Sequence, residues 1–273
     1  MALPNNSSNK IKNQELSIQI SLSGFSFCIL NKDSNTVRVL KELFFNKKLN
    51  PLEVLDKLKE QFKTEDALND TFSKVIVIHD NDLSTLVPKS LFNEDYLADY
   101  LKFNSKILKS DFITYDSISI NNSINVYVPY ININNFIYER FGTFTFKHVS
   151  TILIEDILYQ EENEDSAKLY VNVSENHFEI IGVEKSKLLL YNTFEYRTKE
   201  DFIYYILFTT EQLNLDPETL ELVFIGKIAK DDNLYNIAYR YIRHISFGNR
   251  NDTYTYTKTL KTNYSNFTLL KSF

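Results

Sequence analysis

The sequence is poor in the residues that most often carry covalent chemistry or tight backbone turns. Among 273 residues there are one cysteine, one methionine, no tryptophan, five glycines and five prolines. The single cysteine, Cys28, cannot form a disulfide within the chain, and we expect a buried thiol in a reducing, cytoplasmic setting. Five scattered glycines exclude a P-loop and a dinucleotide-binding fingerprint, because both need clustered glycines.

Long apolar runs and an excess of basic charge are also missing. No stretch approaches the ~20 apolar residues of a membrane span, and residues 1–14 lack the apolar core of a signal peptide. The net charge is −6, whereas phosphate neutralisation needs clustered Lys and Arg. Residues 239–244, YRYIRH, interleave aromatic and basic side chains, but helical spacing predicts that Tyr241 faces the core. We therefore expect neither membrane insertion nor a nucleic-acid partner.

What the sequence does contain is one order of elements that occurs twice. In the first copy, apolar patterning predicts strands over residues 16–22, 25–30 and 36–45. A helix capped by Asn50, with Pro51 at its first position, follows. The near-continuous apolar run KVIVIHD then predicts a strand buried on both faces. The order is β-β-β-α-β.

The second copy repeats this order after residue 168. Thr198 and Asp201 make a variant capping box before its helix. A further helix is predicted to open at Asp231 and Asp232. Two sheets covered by helices are expected to face each other across a cleft. The predicted strands of this copy lie at residues 169–173, 178–183, 188–196 and 220–227.

The two copies divide the chain into two predicted lobes. The first lobe is placed at residues 11–160, with an inserted segment near 82–122, and the second at 165–248. The acidic stretch 161–168 is free of large apolar residues and is the predicted hinge. Residues 249–273 lack a helical apolar stripe and are predicted to be a peripheral tail. Within them, the period-two run 253–262 could be an edge strand, a strand offered to a partner, or a disordered tail.

A β-β-β-α-β unit repeated in two lobes resembles the actin-like ATPase superfamily of sugar kinases, heat-shock chaperones, actin and pilus-assembly proteins. LSIQISLSGFSFCIL (16–30) and LYVNVSENHFEIIGVEKSKLLLYNTF (169–194) are similar to an uncharacterised bacterial family assigned that fold. Residues 124–158 are similar to a segment of the pilus-assembly members. The resemblance spans roughly residues 14–247. It implies an α/β fold of duplicated ribonuclease-H-like units in two lobes.

The resemblance also implies three nucleotide-binding loops. Two are phosphate-binding hairpins with an Asp and a Gly near the turn, which handle magnesium and let backbone N–H groups approach phosphate. The third is an adenosine loop with a Gly-Gly pair. The first hairpin here has no acid, the second has no glycine, and the adenosine loop has one glycine, which predicts that ATP hydrolysis is lost. The corresponding residues are Ser21, Ser23 and Gly24, then Ser174 and Glu175, then Gly226.

The remaining polar candidates are weaker. HDND (79–82) ends a buried strand, where α/β folds place ligands, but such a cluster is more typical of a turn. His148, His177 and His244 show no metal-ligand spacing, so packing or surface roles are expected for them.

These observations predict a non-catalytic binding or scaffolding module that has a protein partner and no cofactor. One alternative is a divergent nucleotide-binding ATPase or kinase-like protein that uses ATP and magnesium in the cleft. Another is a phosphoryl-transfer enzyme or nuclease on a ribonuclease-H-like unit, which needs carboxylates that converge in space. Asp80, Asp82 and Glu175 are the candidates for it. The sequence leaves the oligomeric state open.

Overall fold

The computed structural model describes residues 13–260 and 262–273. The strands in these residues are β1 (Gln14–Ser21), β2 (Gly24–Asn31), β3 (Thr36–Phe44), β4 (Lys74–His79), β5 (Ser84–Pro88), β6 (Thr114–Ile118), β7 (Ser123–Tyr127), β8 (Thr145–His148), β9 (Lys168–Val173), β10 (His177–Glu184), β11 (Lys187–Glu195), β12 (Glu221–Gly226), β13 (His244–Phe247) and β14 (Thr255–Tyr256). The helices are α1 (Pro51–Thr64), α2 (Leu97–Leu101), α3 (Ile131–Phe141), α4 (Val149–Gln160), α5 (Lys199–Gln212), α6 (Asn233–Ala238) and α7 (Phe267–Lys271).

The first copy of the repeat forms most of a six-stranded sheet in the order β14-β3-β2-β1-β4-β8. β1 pairs antiparallel with β2 through the turn at Leu22 and Ser23, and it pairs parallel with β4. Because β1 and β4 run parallel, their carboxyl ends lie at the same edge of the sheet. That edge carries the first predicted hairpin and Asp80.

The second copy forms a five-stranded sheet in the order β11-β10-β9-β12-β13. β9 pairs antiparallel with β10 and parallel with β12, as β1 does with β2 and β4. Both predicted capping boxes are present, with Asn50 before α1 and Thr198 before α5. The predicted α/β fold of two β-β-β-α-β units in separate sheets is confirmed.

The inserted segment forms a third sheet in the order β5-β7-β6. A turn at Asn121–Asn122 joins β6 to β7, with Asn122 in the left-handed region at φ +51°. This small sheet has an apolar core of its own with α2. The members of that core are Val87, Leu101, Ile124, Val126 and Val128.

Two helices, α4 and α7, are buried between the two large sheets. Their apolar residues belong to a single core that also contains residues of β2, β4, β10 and β12. The predicted hinge begins in this packed region. Glu161 is buried, and its carboxylate accepts a hydrogen bond from Tyr170 and pairs with Lys168.

The prediction of a peripheral tail after residue 248 is wrong. Phe267, Leu269 and Leu270 of α7 are almost fully buried in the shared core, and β14 adds to the edge of the first sheet. Arg250 is buried as well, and its Nε lies 2.7 Å from Asp252 Oδ2. Five helical residues are too few for a stripe to show in the sequence.

The helix predicted to carry Tyr241 on its buried face is shorter than expected. α6 ends at Ala238, so the spacing argument fails beyond it. Tyr239 and Tyr241 are instead exposed.

None of the helices in the part of the chain described here combines the length and apolar composition that a bilayer span requires.

Candidate functional site

All six residues predicted for the nucleotide loops line one cleft between the two large sheets. The first hairpin approaches it from the carboxyl end of β1, the second from the carboxyl end of β9, and the third position from the end of β12. Parallel pairing of β1 with β4 and of β9 with β12 places these ends on facing edges. The residues are Ser21, Ser23, Gly24, Ser174, Glu175 and Gly226.

The hydroxyl groups of the first hairpin bond to the hairpin itself. Ser21 Oγ lies 3.0 Å from Ser23 Oγ and 3.1 Å from the carbonyl oxygen of Gly24. The Ser23 N–H donates to Ser21 Oγ at 3.3 Å. With no carboxylate in this turn, it offers a cation or a phosphate only hydroxyls that already have partners.

Packing explains why glycine is kept at two of these positions. A Cβ on Gly24 would lie 2.3 Å from the carbonyl oxygen of Leu43 in the neighbouring strand β3. Gly226 has φ +82°, and a Cβ there would lie 2.4 Å from the carbonyl oxygen of Val173. Both glycines are therefore required by backbone that approaches closely, independently of any ligand.

In the second hairpin the acid is paired with a lysine of the same lobe. Glu175 Oε2 lies 3.0 Å from Lys227 Nζ. The same ammonium group lies 3.1 Å from the ring centroid of Phe44, at the end of β3 in the opposite sheet. An ammonium over an aromatic face is attracted to it. Lys227 thus links the second sheet to the first through the middle of the cleft.

The cleft has little free space. It encloses about 70 Å³, which is room for a few water molecules. Pockets that hold small-molecule ligands are roughly 300–1,000 Å³. Residues of the α7 region, including Phe267 and Thr268, close part of its wall.

The floor of the cleft holds a buried cluster that the sequence did not predict. Asp80 follows the end of β4, and its Oδ1 lies 3.0 Å from His177 Nε2. Glu179 Oε1 lies 3.4 Å from the same nitrogen. His177 and Glu179 are alternate residues of β10, so their side chains point to one face of the second sheet. The signal in the sequence was a charged residue, Glu179, inside the apolar strand 178–183.

The three groups hold one another in unusual states of ionisation. Burial would raise the pKa of Asp80, but His177 and a hydrogen bond from Gln19 outweigh it and hold that pKa below its usual range. Burial would lower the pKa of His177, but Asp80 and Glu179 raise it well above its ordinary value. Burial raises the pKa of Glu179, which His177 only partly offsets. Asp80 and His177 thus form a buried ion pair beside a carboxyl group that ionises reluctantly.

Only part of the HDND cluster belongs to this site. His79 is buried in the first lobe, where Nδ1 accepts from the N–H of Tyr130 at 3.2 Å and Nε2 lies 3.0 Å from Asn134 Oδ1. Asn81 accepts a hydrogen bond from the N–H of Leu83 at 2.8 Å, which is the turn that was predicted.

The predicted carboxylates do not converge as a nuclease site would need. Asp80 meets Glu179, which was not a candidate, and neither Asp82 nor Glu175 belongs to the described cluster of ligating groups. His177, for which a packing or surface role was predicted, lies between two carboxylates in the tertiary structure. His148 has the packing role predicted for it: it is fully buried, and its ring caps α4 by accepting from the Ser150 N–H at 3.2 Å.

Comparison with known proteins supports the fold and gives no activity. Residues 4–245 match the model of a family described as "Protein of unknown function (DUF3822)". A crystal structure from Bacteroides thetaiotaomicron, described as a protein with actin-like ATPase fold and unknown function, is 26% identical with a TM-score of 0.81, and the match covers 96% of each chain. The PilM-PilN type IV pilus biogenesis complex contains a chain that is 10% identical with a TM-score of 0.62, covering 95% of this chain and 97% of that one. No curated protein matches the sequence.

Proposed function

The chain belongs to the DUF3822 family, which is described as of unknown function, and we propose from the cleft itself that it is a non-catalytic module that binds another protein. The observation that carries this proposal is the position of Lys227. Its ammonium group lies between Glu175 and Phe44, where the three predicted nucleotide loops meet. The side chain projects into the cleft that a nucleotide would have to enter.

The chemistry of the loops supports the same proposal. Phosphoryl transfer depends on electrostatic stabilisation of the transferring group, which in this kind of enzyme includes a bound magnesium ion. The first hairpin contributes no carboxylate, and the carboxylate of Glu175 is paired with Lys227. We infer that neither ATP nor magnesium is a resident cofactor.

The direct test is calorimetric titration of the full chain with ATP and magnesium, together with a phosphate-release assay. We expect no heat of saturable binding and no turnover above background. Magnesium-dependent turnover that falls in Glu175→Gln would overturn the proposal.

One observation favours nucleotide binding as the second candidate. Lys227 is about one-third exposed (33%) and stands between both hairpins, so its ammonium could face a phosphate if Glu175 turned away. In that case wild type would bind ATP and Lys227→Met would not. Under the non-catalytic proposal neither protein binds it, and Lys227→Met changes stability alone.

The proposal of a protein partner has support in the comparison with PilM, whose structure was obtained as a complex with PilN. The chain itself offers an unpaired strand edge. β11 ends the second sheet, and residues 188–193 line a groove of about 740 Å³ with β5, which ends the third sheet. We place an extended segment of the partner in this groove as a strand added to β11, because both walls present backbone groups with no neighbouring strand among residues 13–260 and 262–273.

A variant at the exposed part of this groove tests the partner. Leu189 is 40% exposed, so Leu189→Asp should leave the fold intact and discourage an added strand. We expect one protein to co-purify with the tagged wild-type chain and to be absent with Leu189→Asp. Equal recovery with both chains would contradict this placement.

A cytoplasmic location is part of the proposal. Its support is Cys28, the only cysteine, which is a fully buried thiol rather than half of a disulfide. Such usage fits a reducing compartment.

A further inference from the structure

Asp80, His177 and Glu179, at the floor of the cleft, each have a hydrogen-bond partner outside the cluster. Each has two polar atoms, and in each case one of them is bound to an amide side chain outside the cluster. This arrangement fixes the direction of the other atom, as outer partners do for the ligands of a metal. Asp80 Oδ2 accepts from Gln19 at 3.0 Å, Glu179 Oε2 accepts from Asn172 at 2.9 Å, and His177 Nδ1 donates to Asn176 at 3.0 Å.

The ligand atoms of the three side chains lie close together. One ligand atom from each of Asp80, His177 and Glu179 lies within 4.8 Å of the other two. His177 Nε2 is 3.0 Å from the aspartate oxygen and 3.4 Å from the glutamate oxygen. Two ligands at about 2.0 Å from a tetrahedral zinc ion are about 3.3 Å apart. The spacing therefore suits a small ion held by all three atoms.

One of these atoms has no hydrogen-bond partner. Glu179 is fully buried, and its Oε1 receives no hydrogen bond from the described residues. His177 Nε2 makes its hydrogen bond with Asp80 instead. A buried carboxylate oxygen without a partner costs free energy that a coordinated cation would offset.

We propose that Asp80, His177 and Glu179 bind one divalent transition-metal ion, with Zn²⁺ as the ion that fits best. The imidazole nitrogen favours zinc over magnesium and calcium, which prefer oxygen ligands alone. Two carboxylates and a neutral imidazole balance the charge of a divalent ion. Three protein ligands leave a fourth position, which faces the cleft because Asp80 and His177 line it.

The site joins the two lobes. Asp80 follows β4 of the first sheet, whereas His177 and Glu179 lie on β10 of the second. A bound ion would cross-link the two sheets at the floor of the cleft. This role is independent of whether the cleft accepts a nucleotide.

The experiment uses the full chain after dialysis against a chelator. Titration calorimetry with ZnCl₂, and separately with MgCl₂, measures affinity and stoichiometry, and thermal unfolding is followed with and without zinc. We expect one zinc ion per chain, a higher melting temperature with zinc, and far weaker binding of magnesium. Glu179→Gln should lose at least about tenfold in zinc affinity, and Asn172→Ala, which removes an outer partner, should lose about 10–100-fold.

Two matched variants separate this site from other ligands in the molecule. Glu175→Gln removes a carboxylate from the same cleft, and His244→Gln removes an exposed histidine. Both should keep the affinity of wild type. Should Glu179→Gln fail to fold, Asn172→Ala carries the comparison. Zinc affinity that is equal in wild type and Asn172→Ala, or no binding and no change in melting temperature, would overturn the proposal and leave the cluster as an imidazolium between two carboxylates.

Discussion

Three buried histidines in this molecule have different charge states because their neighbours differ. His79 and His148 hydrogen-bond to neutral groups, and burial lowers their pKa values to about 3 and about 4. His177 lies between two carboxylates, which raise its pKa well above its ordinary value in the metal-free chain. The sequence shows four histidines of the same kind, and only the surroundings of each decide its charge.

His148 should make the fold sensitive to acid. Burial lowers its pKa to about 4, although Asp80 and the hydrogen bond to the Asn81 carbonyl oppose this shift. A histidine in the unfolded chain has a pKa of about 6.5. As the pH falls below about 6.5, the unfolded chain binds a proton at this histidine that the folded chain does not bind, so the free energy of unfolding falls. In urea titrations at pH 7 and pH 5, wild type should lose about 2 kcal/mol more than His148→Asn.

Asn at position 148 keeps an acceptor at the N-cap of α4, so this variant should still fold. The exposed histidine variant His244→Asn should retain the full pH dependence of wild type. If His148→Asn and wild type lose the same free energy, the buried imidazole is not the source of the acid sensitivity.

Gly226 should be the least replaceable glycine in the described chain. Its φ of +82° and the carbonyl oxygen 2.4 Å from an added Cβ act together, so Gly226→Ala should lower the free energy of unfolding by at least about 2 kcal/mol. Gly142 has a similar φ of +74° with nothing within 4 Å. Gly142→Ala should cost less, because only the backbone strain of about 1–3 kcal/mol acts there. Chemical denaturation of both variants measures the difference, and equal losses would refute the close-contact argument.

At the scale of elements, α7 is the feature that most changes the interpretation of the chain. It is a five-residue helix that lies between the two sheets beside α4. Ser272 Oγ lies 2.7 Å from Ser17 Oγ of β1, so the last turn of the chain contacts the central strand of the first sheet. An element this short derives its stability from packing rather than from helix propensity.

Truncating a single side chain of α7 should show that it belongs to the core. Leu269 is 0% exposed, and Leu269→Ala should lower the free energy of unfolding by about 2–5 kcal/mol. Leu52 on α1 is 68% exposed, so Leu52→Ala makes the same chemical change at the surface and should cost under about 0.5 kcal/mol. A similarly small loss of free energy of unfolding in both variants would mean that residues 249–273 are peripheral after all.

At the scale of the whole molecule, the two lobes share one core instead of meeting only at a hinge. α4 and α7 contact apolar residues of both large sheets. Charged side chains also make contacts between the lobes, such as the ion pair of Lys48 with Glu195 and the contact of the Lys227 ammonium with the Phe44 ring. Extensive shared burial should couple the unfolding of the two lobes.

We therefore expect one cooperative unfolding transition. Far-UV circular dichroism and tyrosine fluorescence should give coincident melting curves. Phe27 and Phe202 each belong to an apolar cluster on one sheet only. Phe27→Ala and Phe202→Ala should each lower the free energy of unfolding by about 3–5 kcal/mol and leave a single transition. A curve that splits into two steps in either variant would mean that the lobes unfold separately.

The sequence by itself determined what depends on neighbouring residues. The strand and helix order of the two copies and the caps at Asn50 and Thr198 follow from local patterns, and so does the two-lobed α/β fold through its repeated order. The tertiary structure alone decided what depends on residues far apart. Asp80 and His177 are 97 positions apart, and α7 is buried only because two sheets close around it. A buried charge pair leaves no periodic signal in a sequence, since its cause is the packing of one sheet against another.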